Sequence, residues 1–406
     1  MRRLAPTAAF GGPATVVGTA LTAEAGGAAF LNGAAGVFLE LDEGAARSRG
    51  HPAIHVVPPL LAWAEENGGD GRRLIHALTL GYEVAVRAGA AATLRPSMHP
   101  HGTWGLLGGA AALAIWDGAD GPAIANTLRI AASLALATSR PSMLEGATVR
   151  NAYSGLSGQH AVQARRMARA GFTGDRDALA VVFGDVIGTA WDDAAFSAGL
   201  GERWAVEDGY FKRHACCRFN HAALDALGEL MAAHPGRITP KTVASIQVDT
   251  YALAAELDEP RPDNMLAAKF SLPFALATAI QREGDTWVDA FRGDAITQPK
   301  TRDLARKVAL AVDPAFEAAA PEKRASRVTV AVKTGERLTA ERLFADGDPE
   351  APLSDKTLDE KFLKLTAPVL GEDQAARALS LSVNVSSGVS VRELTRAFAP
   401  NESRIA

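Results

Sequence analysis

The sequence predicts a mainly α protein, in which a smaller α+β domain is inserted into a large all-helical domain. Hydrophobic residues make up 48% of the 406 residues but aromatic residues only 6%, so small side chains supply much of the apolar surface. Small side chains let helices pack closely on one another. Helical periodicity fills the first half of the chain, and alternation with a period of two begins after residue 208. We predict a helical domain over 1–207, an α+β domain over 208–350 and a return to the helical domain over 351–406.

Glycine and proline signals bound the helices of the first half. Apolar positions such as Leu74, Leu78 and Tyr82 recur at helical spacing. Gly171 directly follows a segment whose end is rich in arginine, as the helix dipole favours. The predicted helices are Leu60–Glu66, Arg72–Ala91, Trp104–Trp116 and Gly158–Ala170.

The second half contains alternating segments separated by helical ones. Ser245–Tyr251, Arg327–Lys333 and Arg337–Leu343 alternate in the manner of strands, and the last two form a predicted hairpin. Helices are predicted at Phe270–Gln281 and Thr301–Val312, which makes this region α+β. A last helical region begins near Ser354, with Thr357 and Glu360 spaced as a capping box.

Composition excludes several classes of protein. The 42 Lys and Arg against 46 Asp and Glu give a net charge of −4, which does not favour a nucleic-acid partner. No run reaches the roughly 18 apolar residues of a membrane span. The start, Met1–Pro6, has an arginine pair, but Pro6 and later glycines interrupt the following apolar stretch, so we predict no signal peptide. Cys216 and Cys217 are adjacent, which does not suit a disulfide, so a cytoplasmic location is expected.

An acidic turn, Glu40–Gly44, is followed closely by two histidines, His51 and His55. Two histidines four residues apart lie on one face of a helix and, with carboxylates nearby, could bind a metal. Pro52 suits the first turn of a helix, so the alternative is a solvated turn with His51 at the helix N-cap. No glutamate of the zincin type follows the first histidine, so we predict no metal here.

Two further segments carry groups that suit an acidic substrate. His99 and His101 precede Gly102 and Thr103, which we expect to open a helix whose free amides could bind a carboxylate. Arg150 begins a glycine-containing segment and could bind a carboxylate through both arms of its guanidinium. A plain loop at the histidines and a turn with a surface arginine at residue 150 would explain the same patterns without a site.

The densest segment is Tyr210–His221. It combines Lys212, Arg213 and Arg218 with residues that are usually buried, and a cationic pocket for an anionic substrate fits this pattern. Zinc is the alternative, but adjacent cysteines lack the usual two-to-four-residue separation. No phosphate-binding loop or dinucleotide fingerprint lies between a strand and a helix, so we predict no nucleotide cofactor.

Six segments occur in an order that resembles the MmgE/PrpD family, and the resemblance extends over nearly the whole chain from about residue 25. They are Ala28–Ala35, the acidic turn before His51-Pro52, His99-Pro100-x-Gly102-Thr103, Ala170–Gly174, Lys212-x-x-x-Cys216-Cys217-Arg218-x-x-His221 and Ala268–Pro273.

The resemblance implies a helical domain with a smaller α+β lid, a homodimer, an active site between the domains, and no metal or organic cofactor. By resemblance and residue chemistry together, the expected catalytic residues are His51, His99, Lys212, Glu40 and Asp42. The expected substrate-binding residues are Arg150, Tyr153, His101, Thr103, Arg218 and Lys269.

The sequence departs from the family pattern in three places. The family's turn commonly reads Asp-Phe-Asp-Asp-Thr, whereas this chain has Glu40-Leu41-Asp42-Glu43-Gly44 and loses a hydroxyl. Arg150 stands near a lysine of decarboxylase and epimerase relatives, and Tyr153 stands near a histidine. Family chains also begin with helices that we do not find at the start of this sequence.

The activity that the resemblance implies is proton movement at the carbon next to a carboxylate of a small di- or tricarboxylate. We expect a hydro-lyase similar to 2-methylcitrate dehydratase, with His51 or His99 as base and the other as acid. A different assignment makes Lys212 the base, its pKa lowered by Arg213 and by burial. An epimerase, a decarboxylase of the cis-aconitate type and a non-catalytic protein that binds carboxylates are also compatible with the sequence.

Overall fold

Helices make up most of the structure, a computed structural model that describes residues 11–400, so the expectation for Met1–Pro6 lies outside the described residues. This confirms the mainly α prediction. None of the helices within 11–400 is both long and apolar enough to cross a membrane. The α-helices are α1 Ala25–Gly36, α2 Ala53–Asn67, α3 Gly71–Ala91, α4 Gly105–Trp116, α5 Gly121–Ala132, α6 Pro141–Leu144, α7 Val149–Arg169, α8 Ala178–Ala180, α9 Asp193–Ser197, α10 His221–Ala233, α11 Ala252–Ala255, α12 Met265–Lys269, α13 Leu272–Gln281, α14 Asp294–Thr297, α15 Pro299–Ala305, α16 Pro314–Ala319, α17 Asp355–Leu370, α18 Glu372–Val383 and α19 Val391–Arg396.

Short strands pair around the helices, and one larger sheet lies in the second half of the chain. The strands are β1 Ala14–Thr15, β2 Thr22–Ala23, β3 Glu43–Ala45, β4 Ala92–Leu94, β5 Gly188–Trp191, β6 Gly209–Phe211, β7 Val243–Thr250, β8 Val308–Val312, β9 Ser326–Val332 and β10 Arg337–Arg342. The larger sheet has the strand order β10-β9-β7-β8, in which β7 and β8 are parallel and the other pairs antiparallel. Shorter antiparallel pairs join β1 to β2, β3 to β6 and β4 to β5.

Helix α7 begins nine residues before the predicted start at Gly158, so Arg150 lies in a helix rather than in a turn. Its glycines serve close packing. A Cβ on Gly155 would lie 2.3 Å from the carbonyl oxygen of Phe30 in α1, and a Cβ on Gly33 would lie 2.9 Å from Gly155 Cα. Helices α1 and α7 therefore cross at a distance that only glycine permits at these positions.

Two other predictions are wrong in detail. The predicted helix Thr301–Val312 ends at Ala305, and its second half is β8, whose side chains gain a parallel partner in β7. Helix α17 is capped by Ser354, whose hydroxyl accepts from Thr357 N at 3.2 Å, so the cap lies three residues before the predicted one. The β9–β10 hairpin and the three alternating strands are confirmed.

Two large hydrophobic cores lie side by side. The first is formed by the helices of the first half, with Val391 and Leu394 of α19. The second surrounds the four-stranded sheet, α10 and α13, with Leu41 and Met143 from the first half. Residues from both sides line the cavity that forms the candidate site.

Candidate active site

A cavity of about 260 Å³ opens between the helical core and the sheet core. Four of the eleven predicted site residues line it, namely Glu40, His51, His99 and Arg150. Five arginines and one glutamate are among its lining residues. The formal charge of the lining is therefore positive, although the net charge of the whole chain is −4. The charged lining residues are Arg49, Arg95, Arg140, Arg150, Arg324 and Glu40.

The acidic turn and Lys212 form a buried ion cluster beneath the cavity. Lys212 Nζ donates to Glu40 Oε2 at 2.9 Å and to Asp42 Oδ1 at 2.7 Å, although the lysine side chain has no exposed surface. Pairing of β3 with β6 brings the two segments together, since Glu43 lies opposite Phe211. Glu40 has a φ of 53°, an uncommon conformation for a residue with a side chain. The fold therefore holds these three charges in one place at the expense of backbone strain.

Burial and charge act in opposite directions on this cluster. Burial alone raises the pKa of Glu40 and Asp42, but positive charge holds both pKa values below the usual range: Arg150 acts most strongly on Glu40, and His51, in the protonated form that it takes at acid pH, acts most strongly on Asp42. Burial lowers the pKa of Lys212, yet Asp42 and Glu40 outweigh it and raise the pKa above its usual value. Lys212 therefore keeps its proton, which contradicts the assignment that makes it the base. Arg213 does not lower this pKa, because its side chain is exposed and pairs with Asp346.

Four histidines pack together above the cluster. His101 stacks on His51 with ring centroids 5.3 Å apart and on His99 at 5.0 Å, while its Nδ1 lies 3.0 Å from His55 Nε2. Burial lowers the pKa of His51 to about 4 and that of His55 to about 3, and it lowers the pKa of His99 well below the usual value. His51 and His99, the two that line the cavity, are neutral at pH 7.

The contacts of His51 and His99 differ in a way that matters for proton transfer. His51 Nδ1 lies 2.6 Å from the carbonyl oxygen of Glu43, so Nδ1 donates and Nε2 carries the lone pair. Asp42 Oδ2 lies 3.2 Å from the same Nδ1 and stabilises the ring once it is protonated. His99 instead lies between two donors, the backbone N–H of His101 at 3.1 Å from Nδ1 and Arg150 Nε at 3.3 Å from Nε2, although a neutral ring can accept from only one of them. Protonation is therefore easier at His51 than at His99.

Arg150 is held between a carboxylate and a histidine. It forms a close ion pair with Glu40, its Nε donates to His99 Nε2, and its guanidinium lies over the ring of Phe270 at 5.1 Å. The sequence predicts that Arg150 binds a substrate carboxylate. In the structure Glu40 is one partner, and the arginine still lines the cavity.

Three other predicted substrate-binding residues lie behind the cavity wall rather than in it. His101 is 1% exposed and serves as the middle ring of the histidine stack. Thr103 is fully buried and its hydroxyl donates to Pro100 O at 2.6 Å, which closes a turn before α4 begins at Gly105. Tyr153 packs near His99 and its hydroxyl accepts from Ser139 N at 3.3 Å. These residues position the histidines.

The last two predicted binding residues also support the wall. Arg218 is buried, pairs with Asp348 and lies over the ring of Tyr210 at 4.5 Å. Lys269 is fully buried, donates to Phe38 O at 3.1 Å, and burial lowers its pKa to about 8. Neither residue is part of the cavity lining.

Several positions of the site are not among the predicted site residues. Tyr210 begins the segment Tyr210–His221 but has no predicted role, and Arg324 lies in no predicted motif; both line the cavity through long-range packing. Lys361 of α17 donates at 2.8 Å to the carbonyl oxygens of both Leu41 and Lys212, so it connects the acidic turn to the segment that carries Lys212. The sequence places Lys361 in the helix that follows Ser354, but it carries no signal of this contact.

The metal alternative does not fit the charges of this site. Asp42, His51 and His101 present possible ligand atoms within 4.8 Å of one another. Lys212 and Arg150 already balance Asp42 and Glu40, so a divalent ion would add uncompensated positive charge next to two cations. The His51–His55 pair is not formed either, because His51 precedes α2.

The zinc alternative meets a similar obstacle. His214 Nε2 lies 3.0 Å from Asp225 Oδ1, and His221 Nε2 lies 3.3 Å from the carbonyl oxygen of Cys216. Cys216 and Cys217 are both free and buried. Burial raises the pKa of Cys217 to about 11, so its thiol keeps its proton.

Comparison with known proteins gives the family of this chain. Family models described as the MmgE/PrpD N-terminal domain and the MmgE/PrpD C-terminal domain match residues 1–189 and 214–386. The chain is 22% identical over 374 residues to a cis-aconitate decarboxylase of Aspergillus terreus, with 86% of this chain and 76% of the relative covered. It is 23% identical over 403 residues to a cis-aconitate decarboxylase-like protein, oryM, of Aspergillus oryzae, with 90% and 81% covered. The two family domains together extend over most of the sequence, and the chain belongs to the MmgE/PrpD family.

Proposed function

We propose that the protein is a lyase that moves a proton at the carbon next to a carboxylate of a small di- or tricarboxylate, using only its own side chains. The first reaction we assign is dehydration of a substrate similar to 2-methylcitrate. The observation that carries the proposal is a pair of neutral histidines, His51 and His99, in a cavity lined by five arginines. A neutral histidine can take a proton, and fixed cations stabilise the carbanion that forms.

In this proposal His51 is the general base. Its Nε2 accepts the proton from the substrate carbon, and Asp42 stabilises the resulting imidazolium. Arg150 supplies positive charge for the developing carbanion, because a guanidinium cannot lose its proton at neutral pH. The negative charge of a bound polycarboxylate raises the pKa of a nearby histidine. His99, once Arg150 turns from it to the substrate, takes up a proton from solvent and gives it to the leaving hydroxyl, which departs as water.

Decarboxylation is the second candidate, and two observations favour it. Both relatives carry the name cis-aconitate decarboxylase or a name derived from it. Phe219, Phe270, Met98 and Met143 give the cavity an apolar part. A carboxylate held against such a surface loses part of its hydration, which favours the release of carbon dioxide.

Alanine variants of the two histidines test the proposal. Proton NMR would follow 2-methylcitrate, citrate and cis-aconitate in D2O with the wild type, His51→Ala, His99→Ala and the control His76→Ala, whose ring is exposed on α3. Loss of one well-placed acid or base costs about 10²–10⁴ in rate. We expect that loss in both active-site variants and wild-type rates in the control.

The same spectra distinguish the reactions. Loss of water gives a new alkene, loss of carbon dioxide a smaller acid, and deuterium entering recovered substrate without net loss indicates an epimerase. Near-normal turnover in both His51→Ala and His99→Ala would refute the assignment. Thermal stabilisation by these acids with no turnover of any of them would favour a protein that only binds carboxylates.

A further inference from the structure

Tyr210 and Arg324 form a second polar wall of the cavity, separate from the histidine pair. The ring of Tyr210 meets the ring of His51 edge-on, with centroids 6.2 Å apart. Arg324 Cζ lies 5.5 Å from the centroid of the same tyrosine ring, and both residues line the cavity. One aromatic ring therefore links the proposed base to an arginine on the sheet side.

Arg324 differs in its partners from Arg95, Arg140 and Arg150, three of the other four arginines of the cavity, and it is more buried than Arg49, the fourth. Arg140 pairs with Glu256 at 2.6 Å, Arg150 pairs with Glu40, and Arg95 donates to two backbone carbonyls. Within residues 11–400, Arg324 makes no ion pair, and its one hydrogen bond is a long contact of 3.4 Å to the Tyr210 hydroxyl. A half-buried guanidinium with five donors thus faces the cavity side of Tyr210 without an anion.

The position of Tyr210 depends on the glycine of the acidic turn. Gly44 lies opposite Tyr210 in the β3–β6 pair, and a Cβ on Gly44 would lie 2.3 Å from both Cζ and Oη of the tyrosine. The phenol therefore occupies the space that a side chain at residue 44 would take, and its hydroxyl lies directly above the turn that carries Glu40 and Asp42. Burial raises the pKa of Tyr210, so the hydroxyl keeps its proton and can donate it in a hydrogen bond.

We propose that Arg324 and Tyr210 bind the third carboxylate of a tricarboxylate substrate, the one that a dicarboxylate of the same skeleton lacks. This rests on the proposed function and deepens it, because it selects tricarboxylates from the di- and tricarboxylates that the proposed function allows. A guanidinium can donate two parallel hydrogen bonds to a carboxylate, and the tyrosine hydroxyl adds a third donor. A bound carboxylate also gives the cation a partner, so its binding is favoured by charge as well as by hydrogen bonding.

Binding of unreactive acids tests the subsite without relying on turnover. Isothermal titration calorimetry would compare tricarballylate with 2-methylsuccinate, which has the same carbon skeleton except that one terminal carboxylate is missing. Hydrogen bonds to charged groups are strong enough that their loss weakens binding by about ten- to a hundredfold. We expect Arg324→Met to weaken tricarballylate by that factor and to leave 2-methylsuccinate within about twofold.

Two other variants complete the design. Arg327→Met makes the same substitution three residues further on, where the arginine pairs with Asp313 and Glu341 at the surface, and it should leave both affinities unchanged. Tyr210→Phe keeps the ring over Gly44 and removes only the donor, so we expect a smaller loss, confined again to tricarballylate. Melting curves of all variants check that the fold is retained.

The outcomes separate the two proposals. If Arg324→Met folds and binds tricarballylate as the wild type does, or if it weakens both acids equally, the subsite is wrong while the proposed function stands. If Arg324→Met does not fold, Arg324→Lys takes its place in the experiment. The subsite is then wrong if Arg324→Lys and Tyr210→Phe both show the same ratio of the two affinities as the wild type. If the wild type binds neither acid, the proposed function fails and the subsite with it.

Discussion

Replacement of Lys212 by methionine tests whether the buried ion cluster holds the site together. The lysine side chain is 0% exposed, Glu40 is 1% exposed and Asp42 is 4% exposed, so water cannot replace the lost contacts. Methionine fills nearly the same volume, which limits the cost of a cavity. The variant therefore isolates the charge.

The size of the effect follows from what the variant leaves behind. Glu40 still has Arg150, but Asp42 Oδ1 loses its donor and is left as a buried charge beside a neutral histidine. Removing one partner of a buried ion pair costs about 3–5 kcal/mol. We expect the free energy of unfolding of Lys212→Met to be lower than that of the wild type by that amount at pH 7.

The pH dependence of this difference gives a sharper test. In the wild type the pKa values of Glu40 and Asp42 lie below their unfolded values, so their contribution to stability is full above the unfolded pKa of about 4 and is lost as the pH falls through the folded values. Without Lys212 the pKa of Asp42 rises most, because Glu40 keeps its ion pair with Arg150, and Asp42 takes up a proton at a higher pH than in the wild type. The deficit of the variant should therefore be largest at pH 7 and smaller at pH 4.

Urea unfolding followed by circular dichroism at both pH values measures these differences. Arg213→Met is the matched control, because Arg213 is the next residue but pairs with Asp346 at the surface, where an ion pair contributes about 0–1 kcal/mol. A Lys212→Met variant whose free energy of unfolding lies within about 1 kcal/mol of the control would refute the reasoning. So would a deficit that does not change between pH 7 and pH 4.

Two further predictions concern the turn and the base. Gly44→Thr places a Cβ against Tyr210 and should lower the free energy of unfolding by about 1–3 kcal/mol. Adding Tyr210→Ser removes the clashing ring and should restore at least half of that loss. Urea unfolding of the single and double variants measures both effects, and a single variant as stable as the wild type would contradict the packing. Protonation removes the base function of His51, so kcat/KM should stay high as the pH falls to about 5 and decline near the free-protein pKa of about 4. A pH profile with its acid limb near the ordinary histidine pKa of about 6.5 would show that burial does not act on His51.

The fold is predictable wherever a local pattern decides it. The apolar positions Leu74, Leu78 and Tyr82 predict α3 from within one segment, and in the structure Asp70 caps this helix by accepting from Arg73 N at 3.1 Å. Val308–Val312 resembles a helix in the sequence because five apolar residues carry no periodicity that separates a buried strand from a helix. What makes it a strand is its parallel pairing with β7, which lies far earlier in the chain. Such pairing leaves no trace in a window of the sequence.

The candidate site divides in the same way. Residue chemistry and the family resemblance single out His51, His99 and Arg150, which do line the cavity. Neither source of information distinguishes residues that line the cavity from residues that lie behind the lining. Arg218 is therefore predicted to bind substrate, although in the structure Asp348 neutralises its charge. Arg324 lies outside every motif, and its importance comes from the weakness of its contacts, which only the folded chain defines.

Charge connects the recognition of a substrate with its chemistry in this site. Lys212 and Arg150 help burial to keep the histidines neutral in the free protein, where His51 has a pKa of about 4 and is a weak base. A polycarboxylate that neutralises the cations of the cavity weakens their lowering of the histidine pKa, so the pKa of His51 rises towards the working pH. A monocarboxylate brings less negative charge and leaves the histidine a weaker base. Under the proposed function we therefore expect discrimination in the proton-transfer step as well as in binding, so that the number of carboxylates on a substrate affects kcat and not only KM.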